Sequence, residues 1–213
     1  MPHANRVTPF NELMATPARG TLMGNRGILH DDQGRIVRQF AHRNWVTCVL
    51  DFNGRHRQVM RPGRYTHLFF LDEATALAAG HRPCGECREA DYVRFKEAWA
   101  TVQGLDTGTV KAEDMDRVLH LERVVGRRKD RHKPTFPTRF GSIPDGVMFH
   151  RQEASQVALL KWKNMAWAWA PEGYREGKMM DQGQRVEVLT PRTVVDVIRV
   201  GYVPGVHGSL PQL

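Results

Sequence analysis

The chain has 213 residues, of which 41% are hydrophobic and 25% charged, a composition typical of a globular protein with one large domain or two small ones. Its three cysteines, an odd number, argue against a disulfide framework, and we find neither an apolar run as long as a membrane span nor the apolar stretch of a signal peptide. We therefore expect a cytoplasmic protein that does not enter a membrane, and the net charge of +8 favours a polyanion such as nucleic acid as its partner.

Residues 1–68 carry the pattern of short strands and turns. Two strand-like runs, 45–52 and 55–60, flank Asn53-Gly54, which is the strongest hairpin signal in the chain. We therefore predict that this segment is rich in β-structure and contains a hairpin that turns at Asn53-Gly54.

The segment that follows, residues 69–126, contains the one pattern that indicates chemistry rather than packing. Asp72 can cap a short alanine-rich helix that Gly80 ends. The thiols of Cys84 and Cys87 then stand three residues apart in a tight turn, and Cys87 opens a second helix. We therefore predict a helix, a C-x-x-C knuckle and a second helix, which together supply half of a zinc site.

Because a structural zinc site has four ligands, two more donors must come from elsewhere. Cys48 is the only other thiol, although its neighbours Val46, Val49 and Leu50 also allow a buried and inert cysteine. For the C-x-x-C pair itself, the alternatives to a metal site are a reduced buried turn and a redox pair. The other candidate ligands are His30, His56 and His67.

The run from Glu113 to Val125 has apolar residues at helical spacing and predicts another helix. It carries His120 and Glu122, but residues two apart on a helix differ by about 200° in direction, so these two do not share a face. Together with His56 and His132 they are the groups that a metal-dependent nuclease using Mg²⁺ or Mn²⁺ would need, and we assign no catalytic residue. Neither a phosphate-binding loop nor a dinucleotide-binding glycine motif is present, so no small-molecule cofactor is indicated.

The rest of the chain predicts a second unit. Residues 127–144 are rich in glycine, proline and basic residues, which is typical of a linker or an exposed loop. Short strand-like runs follow, and a final helix begins at Thr190-Pro191. We therefore predict an α+β protein with a zinc-knuckle domain over residues 1–126 and, over residues 145–213, a small sheet or barrel-like domain closed by a C-terminal helix.

Two clusters of basic residues lie on either side of the knuckle and are our candidate nucleic-acid-binding residues. Long cationic side chains neutralise phosphates and make binding depend steeply on salt. For either cluster the alternative is a solvated surface that binds nothing. The first cluster contains Arg55, Arg57, Arg61 and Arg64, and the second contains Arg123, Arg127, Arg128, Lys129, Arg131 and Lys133.

Residues 68–88 show a local similarity to a known family. The residues that carry it are Phe69, Phe70, Ala76, Leu77, Ala78, Ala79, Gly80, Arg82, Pro83, Cys84 and Cys87. This stretch resembles the N-terminal metal-binding domain of the Ada-type DNA-repair proteins, in which an aromatic strand end leads into an A-L-A-A-G helix and a C-x-x-C knuckle. The resemblance implies a zinc ion held by Cys84 and Cys87 beside a surface that contacts DNA.

The chain also departs from that family. The family has an earlier cysteine pair, one member of which accepts a methyl group from DNA phosphotriesters, but the corresponding positions here are near Asn53 and Arg57. Neither side chain offers a thiolate, so the resemblance argues against methyl transfer and leaves zinc as a structural ion. The sequence therefore favours a zinc-stabilised DNA-binding protein in DNA repair or the damage response. The alternatives are a metal-dependent endonuclease that uses the same basic surface and a structural zinc protein that binds another protein.

Overall fold

The structure is a computed structural model that describes residues 2–54, 58–127 and 130–210. Within these ranges it contains two six-stranded sheets and four α-helices, so the prediction of an α+β fold is confirmed. None of the helices in these ranges combines the length and the apolar character that crossing a membrane requires.

The first sheet is mixed and comes from the chain up to the knuckle. Its strands are β1 (Ala4–Val7), β2 (Leu13–Ala15), β3 (Leu22–Asn25), β4 (Val46–Cys48), β5 (Leu68–Phe70) and β6 (Arg82–Pro83). They lie in the order β2-β1-β5-β3-β4-β6. Strand β1 runs parallel to β5 and β4 runs parallel to β6, whereas the other neighbours are antiparallel. The two-residue strand β6 therefore brings the knuckle cysteines to the edge of this sheet.

The second sheet is antiparallel throughout and comes from the C-terminal half. Its strands are β7 (Phe136–Arg139), β8 (Met148–Arg151), β9 (Ala154–Trp162), β10 (Met165–Ala170), β11 (Gly173–Met179) and β12 (Arg185–Val188). They lie in the order β11-β10-β9-β8-β12-β7, which leaves β11 and β7 as the edges over the described ranges. Of the two predicted alternatives, a sheet or a barrel-like domain, the chain forms the open sheet.

Four helices complete the fold, and two of their ends show a typical cap. They are α1 (Glu73–Ala78), α2 (Glu89–Gln103), α3 (Ala112–Arg123) and α4 (Arg192–Arg199). Asp72 caps α1 as predicted, since its Oδ1 accepts hydrogen bonds from the backbone N–H and the hydroxyl of Thr75 at 2.9 and 2.7 Å. Gly104 ends α2 in the left-handed conformation with φ of 63°.

Helix α1 lies between the two sheets, which explains its alanine-rich sequence. All six of its residues are buried. Ala74 and Ala78 pack with Leu160 of the second sheet, whereas Ala76 packs with Phe70 of the first. Small side chains on both faces let each sheet approach the helix closely, and the A-L-A-A-G stretch is therefore part of the packing between the sheets.

The predicted boundary at residue 126 is not a break in the core. Phe95 of α2 and Leu119 of α3 share one apolar cluster with Phe149 and Val188 of the second sheet. The predicted linker, residues 127–144, contains strand β7, which pairs with β12. Basic composition therefore concealed a strand whose aromatic neighbours are packed into the core.

Of the hairpin predicted at Asn53-Gly54, the structure contains the turn but not the predicted second strand over residues 58–60. Both residues have positive φ values of 56° and 65°, and the N–H of Gly54 donates to Oδ1 of Asp51 at 3.1 Å, so the turn is present. Strand β4 pairs with β3 on one side and with β6 on the other. Residues 58–60 form no strand, and residues 55–57 lie outside the described residues.

Candidate metal centre

Three cysteines meet where β4 and β6 end. The Sγ atoms of Cys48, Cys84 and Cys87 all lie within 4.8 Å of one another. The parallel pairing of β4 with β6 continues into the knuckle, since the N–H of Cys84 donates to the carbonyl of Thr47 at 2.9 Å. This backbone pairing places Cys84 beside Cys48, although the two are distant in sequence.

The knuckle turn holds the second thiol of the pair in the same place. The N–H of Arg88 donates to the carbonyl of Cys84 at 3.1 Å, which closes the turn and leads directly into α2. All three cysteines are half-buried and none forms a disulfide. Their sulfur atoms therefore face one another at a site that a small ion can enter.

The three thiols differ in acidity because they interact with one another. Hydrogen bonds from the Cys48 thiol and from the backbone N–H groups of Cys87 and Glu86 lower the pKa of Cys84 to about 5. The same hydrogen bond to Cys84, followed by burial, raises the pKa of Cys48, and burial raises the pKa of Cys87. Cys84 is therefore the first thiolate of the group, and a metal that takes all three sulfurs must displace the protons of the other two.

The donor set and its spacing suit a thiophilic ion. A tetrahedral zinc site with Zn–S bonds of about 2.3 Å has sulfur atoms about 3.8 Å apart, so these thiols need to contract only slightly. Thiolate ligands favour zinc, copper(I) and iron–sulfur clusters over magnesium or calcium. The chemistry of the group is thus compatible with zinc.

The candidate histidine ligands occupy different places. His30 is buried away from the thiols, with Nδ1 at 2.6 Å from the hydroxyl of Thr66 and Nε2 at 3.3 Å from the carbonyl of Arg61. His67 lines the same cavity as the three cysteines and stacks on Tyr65, with ring centroids 4.5 Å apart. His56 lies outside the described residues. Among the described residues, then, His67 is the one candidate histidine that lines the cavity of the thiol group, and its ring nitrogens lie outside the set of donor atoms within 4.8 Å of one another.

The cavity beside the thiols is largely apolar. Its volume is about 560 Å³, and it lies over the face of the first sheet from which Cys48 projects. Its apolar lining residues include Met23, Val46, Val59 and Phe69. These side chains shield the sulfur atoms from water on one side.

The candidate catalytic groups do not converge. The ring of His120 packs edge-to-face with that of Phe40, with the ring centroids 5.0 Å apart. Burial, followed by repulsion from three arginines, lowers the pKa of His120 to about 4. Glu122 accepts hydrogen bonds from the N–H and the hydroxyl of Thr193 at 2.9 and 2.7 Å, so it supports the start of α4. His132 is exposed, with Nδ1 at 3.0 Å from the carbonyl of Asp130. Each of these three side chains therefore has its own local contacts, and the three do not form a common site.

The candidate nucleic-acid-binding residues divide by burial. Arg61, Arg64 and Arg127 are exposed, and Arg131 is half-buried. Arg123 is fully buried and Lys133 is half-buried, so these two differ from the solvent-facing residues that we expected. The remaining candidates, Arg55, Arg57, Arg128 and Lys129, lie outside the described residues.

Sequence reasoning missed the residues that hold the knuckle in place. The buried guanidinium of Arg88 donates to the hydroxyl of Thr47 at 2.8 Å, to Glu73 at 2.7 Å and to Asp91 at 2.6 Å. It thereby ties β4, α1 and α2 together directly beneath the cysteines. The signal available in the sequence was a glutamate in an otherwise apolar, alanine-rich helix, since a buried charge requires a partner.

Comparison of the chain with protein-family models, with curated proteins and with solved structures found no match.

Proposed function

We propose that this protein holds one zinc ion at Cys48, Cys84 and Cys87 and that the ion supports a surface that binds DNA. The observation that carries the zinc assignment is the approach of the three sulfur atoms to within 4.8 Å of one another. An ion there cross-links the edge of the first sheet to the turn before α2, which is what a structural zinc site does. His67, which lines the same cavity, is the proposed fourth ligand.

The DNA-binding part of the proposal is supported by the positions of the basic residues. A loop over residues 26–43, which we call the arginine loop, contacts both basic clusters. Toward the first cluster, His30 contacts the carbonyl of Arg61 at 3.3 Å. Toward the second, the guanidinium of Arg131 lies 4.8 Å from the ring centroid of Phe40. The two clusters are thus joined through one segment, which adds the exposed arginines Arg38 and Arg43 to the positive surface.

The resemblance of residues 68–88 to the Ada-type domain supports a setting in DNA repair or the damage response. A methyl-acceptor activity is not part of the proposal, because no thiolate stands at position 53 or 57. Nuclease activity is not proposed either, since His120 and Glu122 are both engaged in packing and capping contacts.

The metal site is tested by loading the protein with cobalt. We expect about one zinc ion per purified chain, replaceable by Co²⁺, with thiolate-to-cobalt absorption of the intensity that three thiolates give. Replacing His67 with alanine should keep that absorption and shift the visible ligand-field bands, because the nitrogen donor is lost. The matched control is His132→Ala, which removes an exposed histidine elsewhere. Identical spectra for His67→Ala and the unaltered protein would assign the fourth ligand to another group.

The DNA-binding surface is tested by removing exposed charges from it. In a gel-shift titration with duplex DNA that carries 5′-hydroxyl ends, the triple variant Arg61→Gln, Arg64→Gln, Arg127→Gln should bind more weakly at every sequence. The dependence of log K on log salt should become shallower by about one for each phosphate that the variant no longer neutralises.

The matched control for this experiment changes three exposed arginines of the second sheet, Arg151, Arg175 and Arg185, to glutamine. Both variants lose the same charge, so a difference between them reports position rather than net charge. Equal weakening in the two variants would contradict the proposed surface.

A further inference from the structure

A second cavity lies under the arginine loop, away from the cysteines. Its volume is about 620 Å³. The cationic residues that line it are Arg26, Arg38, Arg123, Arg131 and Lys133. Over the described part of the chain, Glu12 is the one carboxylate in the lining, and it is exposed. The cavity therefore has an excess of positive charge around a concave space.

The three innermost cations have only neutral hydrogen-bond acceptors as partners within the described residues. Arg26, which is 1% exposed, donates to Nε2 of His81 at 3.2 Å and to the carbonyl of Asn11 at 3.5 Å. Arg123 donates to the carbonyls of Gly80 and Arg43. Lys133 likewise donates to the carbonyls of Pro9 and Ala78. These carbonyls hold the cations in position, but they carry only partial negative charge and leave the net charge of the group uncompensated.

Both arginines also have donors to spare. Over the described ranges, Nη2 of Arg26 and Nε of Arg123 are buried and make no hydrogen bond. The two guanidiniums lie over the ring of Trp45, at 4.2 and 4.1 Å from its centroid, which fixes their positions. Two fixed guanidiniums with unused N–H groups are suited to an oxyanion, because a fork of donors matches the oxygen atoms of a phosphate.

The burial of these cations and their uncompensated positive charge lower the pKa values of Lys133 and Arg123. Burial, followed by repulsion from Arg26, holds the pKa of Lys133 well below its usual value. Burial lowers the pKa of Arg123 to about 9, even though Asp116 opposes the effect. Asp116 itself is engaged by Arg82 through two hydrogen bonds of 3.1 and 2.7 Å, so its one negative charge is shared between Arg82 and Arg123. An anion that entered the cavity would raise both pKa values, because a nearby negative charge favours the protonated forms.

We infer that this cavity binds a phosphate monoester group. The inner cations face the phosphate oxygens, while Phe10, Ile36 and Leu189 line the cavity with apolar surface for a planar or apolar part of the same ligand. The phosphate belongs either to a small molecule such as a mononucleotide or to the phosphorylated end of a nucleic-acid strand, and both sources offer the same dianionic group. The cavity shares Arg123, Arg131 and Lys133 with the second basic cluster. The two proposals are nevertheless tested separately, because duplex DNA with 5′-hydroxyl ends tests the surface without any terminal phosphate.

The test is calorimetric titration of the full chain with inorganic phosphate, adenosine 5′-monophosphate and adenosine, and with one oligonucleotide in its 5′-phosphorylated and 5′-hydroxyl forms. We expect the phosphate-bearing probes to bind and adenosine to give no heat. If the monophosphate binds, the ligand class is a small phosphate ester. If the monophosphate does not bind but the 5′-phosphorylated oligonucleotide binds better than its 5′-hydroxyl form, the ligand is the phosphorylated end of a strand.

The variant Arg38→Gln, at an exposed position of the lining, should weaken binding of the preferred probe about tenfold. Its control is Arg35→Gln, which removes the same charge from the same loop at a residue that pairs with Asp31 outside the cavity. As a second readout, the preferred probe should raise the melting temperature of the unaltered protein more than that of Arg38→Gln. The inference is overturned if no phosphate-bearing probe binds better than its phosphate-free counterpart, or if Arg35→Gln and Arg38→Gln bind the probe equally.

Discussion

Replacing Cys84 with serine is expected to release the metal and to lower the free energy of unfolding by at least about 4 kcal/mol, because loss of a structural metal is among the largest effects of single substitutions. In a chain of this size, that loss lowers Tm by about 8–16 °C. The physical reason is that an ion bound only by the folded chain stabilises it by its whole binding free energy. Thermal unfolding combined with elemental analysis of both proteins measures the two effects together.

The three cysteines are the only ones in the chain, so the control for Cys84→Ser is the metal-free state and not another cysteine. After chelation, the serine variant and the unaltered protein should differ by about 1 kcal/mol or less, the usual effect of a small, partly exposed substitution. Cys48→Ser should reproduce the behaviour of Cys84→Ser, because both sulfurs belong to one site. An equal loss of stability with and without metal would mean that Cys84 acts through packing alone.

The sequence was sufficient to single out the C-x-x-C pair as part of a candidate metal site but not to choose its partners. Cys48 was one of four candidate ligands, and what distinguishes it is the parallel pairing of β4 with the two-residue strand β6. A strand of two residues leaves almost no periodic signal, since alternation needs at least four. Register between distant segments is a tertiary property, and so the third thiol had to come from the structure.

The fully buried Arg123 and the half-buried Lys133 show a different limit of sequence reading. Arg123 and Lys133 belong to a basic cluster whose composition predicts an exposed surface, and Arg61 and Arg127 of the same predicted surface are exposed. Charge alone does not reveal burial, because carbonyl groups supplied by distant loops can accept the hydrogen bonds of a cation. Here those carbonyls belong to Ala78 of α1, to Gly80 just after it, and to Pro9 and Arg43, which are distant in sequence, so no local pattern predicts them.

Two carboxylates at the start of α1 illustrate the same point for acidic residues. The helix cap at Asp72 follows from the sequence, but its second oxygen also accepts hydrogen bonds from the hydroxyl of Tyr174 and from the N–H of His207, at 2.7 and 2.9 Å. Glu73 accepts hydrogen bonds from Tyr202 and Gly205 at 2.6 and 2.9 Å in addition to its ion pair with Arg88. These two residues join the C-terminal tail to the knuckle, and only long-range packing makes that connection visible.

Replacing Glu73 with alanine is therefore expected to destabilise the protein by about 3–5 kcal/mol, the usual cost of removing one partner from a buried ion pair. The side chains of Glu73 and Arg88 are only 5% and 6% exposed, so water cannot replace the missing carboxylate. Arg88 would keep Asp91 and Thr47, but the hydroxyl of Tyr202 would lose the partner that it has in Glu73. Denaturant unfolding of the metal-loaded protein measures the change.

The matched control is Glu89→Ala, because Glu89 is the first residue of α2 just as Glu73 is the first residue of α1. Glu89 is exposed, so its replacement should remove only the favourable interaction with the helix dipole, which is worth about 0.3–1 kcal/mol. Since Arg88 also contacts the residue before Cys48, Glu73→Ala should weaken zinc binding as well, whereas Glu89→Ala should leave it unchanged. If both variants lost equal stability, the ion pair beneath the knuckle would contribute nothing beyond a helix-end charge, and the metal centre would depend on the cysteine turn alone.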